Sequence, residues 1–148
     1  MNILADTNII VRAVHRKAAQ HRVAIRAMRS LQNEGHRICL TAQNLYEFCS
    51  VATCPVQVNG LGLTSAQTNR VVTRLEEICL IFRDPADLYD EWRRLIVTHE
   101  VSGKKVHDAR LVAAMKIYGI HRILTFNTGD FVRFPEIEVI HPDSTAKI

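Results

Sequence analysis

The chain has 148 residues, of which 47% are apolar, and this is enough to bury the core of a single domain without a stabilising disulfide. Its formal net charge of +4 favours polyanionic partners without saying which one. The four cysteines form no Cys-x-x-Cys pair, and no window approaches the roughly 20 apolar residues of a membrane span. We therefore expect a protein of the reducing cytoplasm with neither a zinc knuckle nor a redox motif.

Short apolar runs alternate with helical patterns along the chain. Strands are predicted at residues 3–5, 38–40, 81–82, 122–125 and 138–140. Helical patterns occupy residues 9–14, 18–33, 41–52, 65–80, 87–99 and 108–118. Residues 54–63 and 102–106 contain glycines that indicate loops. Because strands alternate with helices, the sequence predicts an α/β fold with a mainly parallel sheet covered on both faces.

Four acidic residues stand at separated points of the chain, each near the end of a predicted strand or the start of a helix. They are Asp6, Glu47, Asp108 and Asp130. In parallel sheets, ligands bind at the carboxyl ends of the strands. Mg²⁺ and Mn²⁺ prefer carboxylate and water oxygens, and a bound cation would offset the repulsion between gathered acids. The four acids therefore predict a metal site.

Each acid also has a structural explanation. Asp6 and Asp130 suit turns or helix caps, and Asp108 suits an N-cap that would stabilise its helix by about 1 kcal/mol. Taken singly, this explanation is preferred for Asp108 and Asp130. Glu47 is different, because it lies on a helix with many apolar residues, where an unpaired acid is costly. Thr125 suits either a turn or a hydrogen bond to the metal site, and so does Asn127.

The basic residues form two groups. Arg22, Arg26 and Arg29 recur at helical spacing, and Lys104 and Lys105 lie just before Asp108. Any single one suits a solvated helix face, whereas together they could hold phosphates beside an acidic site. Nucleophile elbows, zinc-protease motifs and glycine-rich nucleotide loops do not occur in the sequence.

Four segments in this order resemble PIN-domain ribonucleases, and within them the VapC-like toxins of type II toxin-antitoxin pairs. The segments are Leu4-Ala-Asp-Thr-Asn-Ile9, Gln43-Asn-Leu-Tyr-Glu-Phe48, Val106-His-Asp-Ala-Arg-Leu-Val-Ala113 and Leu124-Thr-Phe-Asn-Thr-Gly-Asp-Phe131. Each segment is weak alone, but the ordered set is specific and extends nearly from end to end.

This resemblance implies a PIN fold, an α/β/α sandwich, and Mg²⁺- or Mn²⁺-dependent endonucleolytic cleavage of RNA. Asp6, Glu47, Asp108 and Asp130 would be the metal ligands, directly or through water. Thr7, Thr125 and Asn127 would support them. The resemblance further implies a homodimer and a small cognate antitoxin that covers the acidic pocket.

Two alternatives remain open at this stage. The same fold can serve as a non-catalytic module that binds RNA or protein, since fold does not fix function. A phosphatase-like doubly wound domain also places an Asp after its first strand, although Asn8 stands where an Asp-x-Asp phosphatase needs a second acid. The apolar residues of the predicted helix 65–80 exceed what one buried face needs, which indicates self-association.

Overall fold

A five-stranded sheet forms the centre of the structure, a computed structural model that describes residues 1–147. The strands are β1 (Asn2–Ala5), β2 (Arg37–Thr41), β3 (Leu80–Phe82), β4 (Arg122–Leu124) and β5 (Glu138–Ile140). They lie in the order β3-β2-β1-β4-β5, and every neighbouring pair is parallel. The predicted parallel sheet is confirmed, with β1 at its middle.

Six α-helices connect the strands: α1 (Thr7–Val14), α2 (His21–Asn33), α3 (Ala42–Thr53), α4 (Ser65–Ile78), α5 (Leu88–Thr98) and α6 (Lys105–Ile117). Short 3-10 turns occur at Val56–Val58, Thr128–Asp130 and Pro142–Lys147. No helix within residues 1–147 is long and apolar enough to cross a membrane.

The helices cover both faces of the sheet because successive strand residues point to opposite sides. In β1, Ile3 and Ala5 pack with residues of α1 to α4, whereas Leu4 packs with residues of α5 and α6. The same alternation separates Cys39 from its neighbours in β2. The side chains of Ile3, Leu4 and Ala5 are all fully buried. The arrangement is therefore the predicted α/β/α sandwich.

Several predicted helix limits were wrong, and the first helix begins at Thr7 rather than at residue 9, because Asp6 caps it. The second helix begins at His21 rather than at residue 18, because two successive hydrogen-bonded turns precede it. In these turns Ala18 N donates to His15 O, and His21 N donates to Ala18 O. The fourth helix ends at Ile78, since Cys79 adopts extended backbone and leads directly into β3.

The start of α6 matters most for the site. Gly103 turns the chain at φ 63°, and the helix begins at Lys105, inside the stretch predicted as a loop. Asp108 therefore lies within the first turn of α6 and is not its N-cap, so the structural explanation of this acid as a cap is wrong.

The loop between α3 and α4 is folded tightly against the end of α3. Gly60 N donates to Pro55 O at 2.9 Å, and Gly62 N donates to Cys54 O at 2.8 Å. A Cβ atom on Gly60 would lie 2.0 Å from Cys54 O, so only glycine fits this close approach. Asn59, in the left-handed conformation at φ 64°, is thereby held beside the acidic residues described next.

Candidate metal centre

The four predicted acids line one cavity of about 550 Å³ at the carboxyl edge of the sheet. Asp6 directly follows β1, and Glu47 lies in the middle of α3. Asp108 is in the first turn of α6, and Asp130 ends the 3-10 turn that follows β4. Residues 124 positions apart in the chain are thus brought together, because parallel strands place their carboxyl ends at one edge. We call this space the acidic cavity.

Asp6 is held at the junction of β1 and α1 by three donors. Its Oδ1 accepts a hydrogen bond from Thr7 N at 2.7 Å, as an N-cap residue does. Its Oδ2 accepts from Thr125 Oγ1 at 2.7 Å and from Asn8 Nδ2 at 3.2 Å. The Asn8 amide also donates to Thr125 Oγ1 at 3.1 Å. Both carboxylate oxygens of Asp6 are therefore fixed in position.

Glu47 is fixed in the same way, from two sides. Thr7 Oγ1 donates to its Oε2 at 2.6 Å, and Asn44 Nδ2 in turn donates to Thr7 Oγ1 at 3.2 Å. Gln43, one helical turn before Glu47, donates to its Oε1 at 2.8 Å. The same Gln43 amide donates to His107 O at 2.8 Å and so ties α3 to α6. These contacts supply the partners that an acid among apolar residues needs.

Asp108 and Asp130 are less constrained than the first two acids. Among residues 1–147, no hydrogen-bond donor reaches the Asp108 carboxylate. Asp130 Oδ1 lies 3.8 Å from Lys105 Nζ, and both side chains are partly exposed. Lys105 is therefore paired with one of the acids. These two carboxylates keep oxygen atoms available for a further ligand.

The gathered acids perturb one another. Burial and, after it, the charges of Asp130, Asp6 and Glu47 together raise the pKa of Asp108 to about 6, against an opposing effect of Lys105. Burial also raises the pKa of Asp6. The hydrogen bonds from Thr125 and Thr7 N oppose that rise, whereas the charges of Glu47 and Asp130 add to it. The cavity therefore stores electrostatic repulsion that a cation would relieve.

A hydrated divalent cation fits this donor set. As the side chains stand in residues 1–147, no three His, Cys, Asp or Glu residues are grouped closely enough to hold a metal ion. Mg²⁺, however, keeps several of its waters and takes only one or two protein carboxylates directly. The acidic cavity offers carboxylate oxygens, room for water and a repulsion that favours positive charge. These are the properties of an oxygen-donor site for a hard cation.

The other predicted site residues divide into two sets. Thr7 and Thr125 are buried and bind the acids directly, and Asn127 lines the acidic cavity. Arg22, Arg26 and Arg29 do not line it. They share a separate cavity of about 460 Å³ along α2 with Ser30 and Asn33, and Lys104 is exposed just before α6.

Several functional neighbours were missed from the sequence. Asn8 binds Asp6 and also accepts a hydrogen bond from Phe126 N at 3.2 Å, so it ties the first and last motifs together. Arg12 is the basic residue that lines the acidic cavity, and its guanidinium lies 5.9 Å from the centre of the Phe126 ring. Gln43 had a usable signal, because it stands four residues before Glu47 and so shares its helix face.

A family model described as the PIN domain matches residues 3–137. The chain belongs to the PIN domain family. A search of curated proteins finds no match to the chain.

Solved structures share the PIN fold with this chain. The complex VapBC2 from Rickettsia felis bound to promoter DNA contains a chain with a TM-score of 0.69 and 16% identity, covering 95% of this chain and 98% of that one. VapC20 from Mycobacterium tuberculosis, a sarcin-ricin loop cleaving toxin, has a TM-score of 0.60 and 20% identity, covering 82% of this chain and 86% of that one. A toxin-antitoxin complex from Klebsiella pneumoniae contains a chain with a TM-score of 0.64 and 19% identity, covering 95% of this chain and 97% of that one. The PIN fold expected from the four motifs is confirmed.

The raised pKa of Asp108 predicts how this PIN domain responds to pH without metal. The folded-state pKa of about 6 lies above the ordinary 3.8, so between these values the folded protein holds a proton that the unfolded chain has released. The Asp108 contribution to the free energy of unfolding should therefore increase as pH falls through about 6. Asp108→Asn should have a higher melting temperature than the wild type at about pH 7.5, and the difference in melting temperature should disappear towards about pH 4.5.

The measurement is thermal melting of both proteins with a chelator present. Asp87→Asn, which changes an exposed acid outside the lining of the acidic cavity, is the matched control, and its difference from the wild type should stay constant with pH. A difference between Asp108→Asn and wild type that stays constant with pH would contradict the assigned repulsion.

Proposed function

We propose that this PIN-domain protein is a metal-dependent endoribonuclease that acts as the VapC-type toxin of a type II toxin-antitoxin pair. The observation that carries the proposal is the convergence of Asp6, Glu47, Asp108 and Asp130 on one cavity. Two of the four are held by hydrogen bonds from neutral side chains, which fix their oxygen atoms without an internal cation to pair them. The fold shared with toxin-antitoxin proteins supports the cellular role.

The four carboxylates would hold Mg²⁺ or Mn²⁺, directly or through water. Such an ion would supply charge neutralisation at a phosphodiester and an attacking water of lowered pKa. Thr7 Oγ1 donates a hydrogen bond to Glu47 Oε2, and Thr125 Oγ1 donates one to Asp6 Oδ2. These hydroxyl donors fix the spacing of the two acids before any ligand arrives, and so reduce the cost of ordering them.

Substrate RNA would be captured by cations on two sides of the acidic cavity. Arg12 lines the cavity itself, and Lys104 and Lys105 lie at the start of α6. Arg22, Arg26 and Arg29 would extend this surface along α2 as a phosphate-binding track outside the cavity. Because they stand apart from the acids, their proposed role is to bind RNA and not to take part in cleavage.

Asp6→Asn should abolish cleavage. The substitution removes a central charge and places an amide where Thr125 and Asn8 donate, so the site loses both a ligand and its fixed geometry. We expect a loss greater than the roughly 10- to 100-fold that removal of a supporting partner of a metal ligand produces. Thr125→Val keeps the side-chain shape but removes the hydroxyl donor, and should give that smaller loss. Cleavage of a mixed RNA pool with added Mg²⁺ or Mn²⁺ is the measurement.

Three controls make the cleavage experiment decisive. Thermal melting shows that each variant is folded. Asp143→Asn, which changes an exposed acid outside the lining of the acidic cavity, should cleave like the wild type. A small phosphomonoester tests the phosphatase alternative, which would require its hydrolysis with RNA left intact. Wild-type protein that binds RNA but cleaves none at any metal concentration would favour the non-catalytic module. Cleavage by Asp6→Asn at the wild-type rate would remove Asp6 from the site.

The track along α2 gives a second prediction. Arg22→Glu combined with Arg26→Glu should weaken RNA binding and flatten its dependence on salt, since each phosphate contact on a single strand contributes about −0.7 to the log-log slope. Metal affinity should stay unchanged. Arg70→Glu with Arg74→Glu, two exposed arginines of α4 at the same spacing, is the matched control. An equal loss of RNA affinity in both double variants would mean that net charge alone causes the effect.

The inhibitory partner would be a small cognate antitoxin encoded beside this chain. The structural similarity to proteins solved as toxin-antitoxin complexes supports this assignment. All four cysteines are free, which suits the reducing cytoplasm where such a pair would act. Co-expression with the neighbouring small gene should give a stable complex without nuclease activity, and full activity in that complex would refute occlusion of the acidic cavity.

The protein would also form a homodimer through the end of α4 and the adjoining edge strand β3. Ile78 remains 44% exposed and Leu80 38% exposed, whereas Leu75 and Cys79 are buried in the core. Exposed apolar side chains beside an edge strand are typical of an interface, and a two-fold pair is its commonest form.

Light scattering tests this assembly. The wild type should show twice the monomer mass of 16.8 kDa, and Ile78→Arg should return it to that mass because the charge would be buried in the contact. Val97→Arg, at a more exposed apolar residue of α5, is the control and should leave the mass unchanged. A wild-type mass equal to the monomer's would contradict the proposal.

A further inference from the structure

A second cleft lies beside the acidic cavity, at the carboxyl end of β3 and next to the start of α6. It encloses about 480 Å³, which is within the roughly 300–1,000 Å³ of typical ligand pockets. Its lining is mostly apolar and includes Asp84, Pro85, Tyr89, Trp92, Val106 and Arg110. We call it the aromatic cleft.

Two aromatic rings form one wall of this cleft. Tyr89 is 63% exposed although it belongs to α5, and its ring centre lies 6.1 Å from that of Trp92. Trp92 is held in place by its Nε1, which donates to Val106 O at 2.8 Å. Trp92 packs partly against the core, whereas the exposed phenol ring of Tyr89 stands outside the core cluster. Exposed aromatic faces of this kind bind unstacked bases.

Fixed polar groups stand at the other side of the cleft. Arg110 Nη2 donates to Asp84 Oδ2 at 2.9 Å, and its Nη1 donates to Gln43 Oε1 at 3.0 Å. This pair holds a guanidinium and a carboxylate side by side, where they can meet the donors and acceptors of a base edge. The Arg93 guanidinium lies over one face of the Tyr89 ring, 5.7 Å from its centre, and adds positive charge there, so a base stacked on Tyr89 would take the opposite face. This combination suits a flat ligand that has polar groups at its edge and is attached to a negatively charged group.

Gln43 joins the lining of the aromatic cleft to that of the acidic cavity by hydrogen bonds. That residue contacts Arg110 in the cleft and Glu47 in the cavity, and its amide also binds His107 O. Strand β3 lies two strands from β1, a distance of about 10 Å along the same edge of the sheet. An RNA strand with its phosphate at the acids would therefore reach the cleft within a few nucleotides.

We propose that the aromatic cleft binds one unpaired nucleobase of the RNA substrate, stacked on Tyr89 beside Trp92 with its edge against Asp84 and Arg110. The proposal rests on the proposed ribonuclease function and adds a base-recognition subsite to it. The subsite selects single-stranded RNA, since a base inside a duplex cannot enter the cleft. It also fixes the position of the strand relative to the acids.

Trp92 provides a direct test because it is the only tryptophan in the chain. The experiment uses Asp6→Asn protein, which binds without cutting, and a short single-stranded oligoribonucleotide of mixed sequence. Binding should quench the Trp92 fluorescence in step with the anisotropy of a labelled RNA. An oligomer of the same length and charge that lacks bases should bind through its phosphates without quenching.

Tyr89→Ala in the same background should weaken binding of the base-bearing RNA about tenfold or more, which is within the range for loss of one stacked base. Tyr89→Phe keeps the ring and should bind like the parent. Tyr46→Ala removes a tyrosine of matching exposure, 66%, from a different surface on α3 and should also bind like the parent. None of the three should change the affinity for the base-free oligomer.

Quenching without a Tyr89→Ala effect, or an equal loss for both oligomers, would overturn the subsite. Loss of the dimer or of the antitoxin complex in Tyr89→Ala, with RNA affinity unchanged, would reassign the cleft to a protein partner. In both cases the wild type still cleaves RNA, so only the subsite fails. A wild type that neither binds nor cleaves RNA would instead remove the ribonuclease function on which the proposal depends.

Discussion

The structure depends on keeping like-charged carboxylates together at the edge of a buried sheet. The acids would separate or take up protons if nothing fixed them, and the raised pKa values of Asp6 and Asp108 show this tendency. Neutral donors hold the first two acids: hydroxyl groups of Thr7 and Thr125 and amides of Asn8 and Gln43. Because these donors carry no charge, they order the acids and leave the net negative potential for a cation.

The position of β1 explains why this site lies where it does. The chain adds β2 and β3 on one side of β1 and β4 and β5 on the other, so the loops leaving β1 and β4 diverge and leave a crevice between them. Asp6 follows β1, and Thr125 follows β4, with Asp6 N donating to Leu124 O at 2.9 Å across the gap. The fold thus supplies both the opening and the hydrogen bonds that line it.

A polar network joins α3, α6 and the loop after β3, and it links two parts of the surface that differ in character. Gln43 contacts Glu47 on one side and Arg110 on the other, and Arg110 continues to Asp84. The acidic cavity and the aromatic cleft therefore share one scaffold.

Sequence patterns were enough to predict the α/β/α sandwich and to single out the four acids, because strand and helix periodicity is local and parallel strands gather their carboxyl ends at one edge. The contacts of each polar side chain followed only from the packing of the whole chain. Hydrogen bonds such as Thr7 to Glu47 and Asn8 to Thr125 join residues 40 and 117 positions apart, so no local pattern contains them. Helix α2 places Arg26 in a cavity separate from the acids, since the direction of a helix face follows from packing and not from spacing.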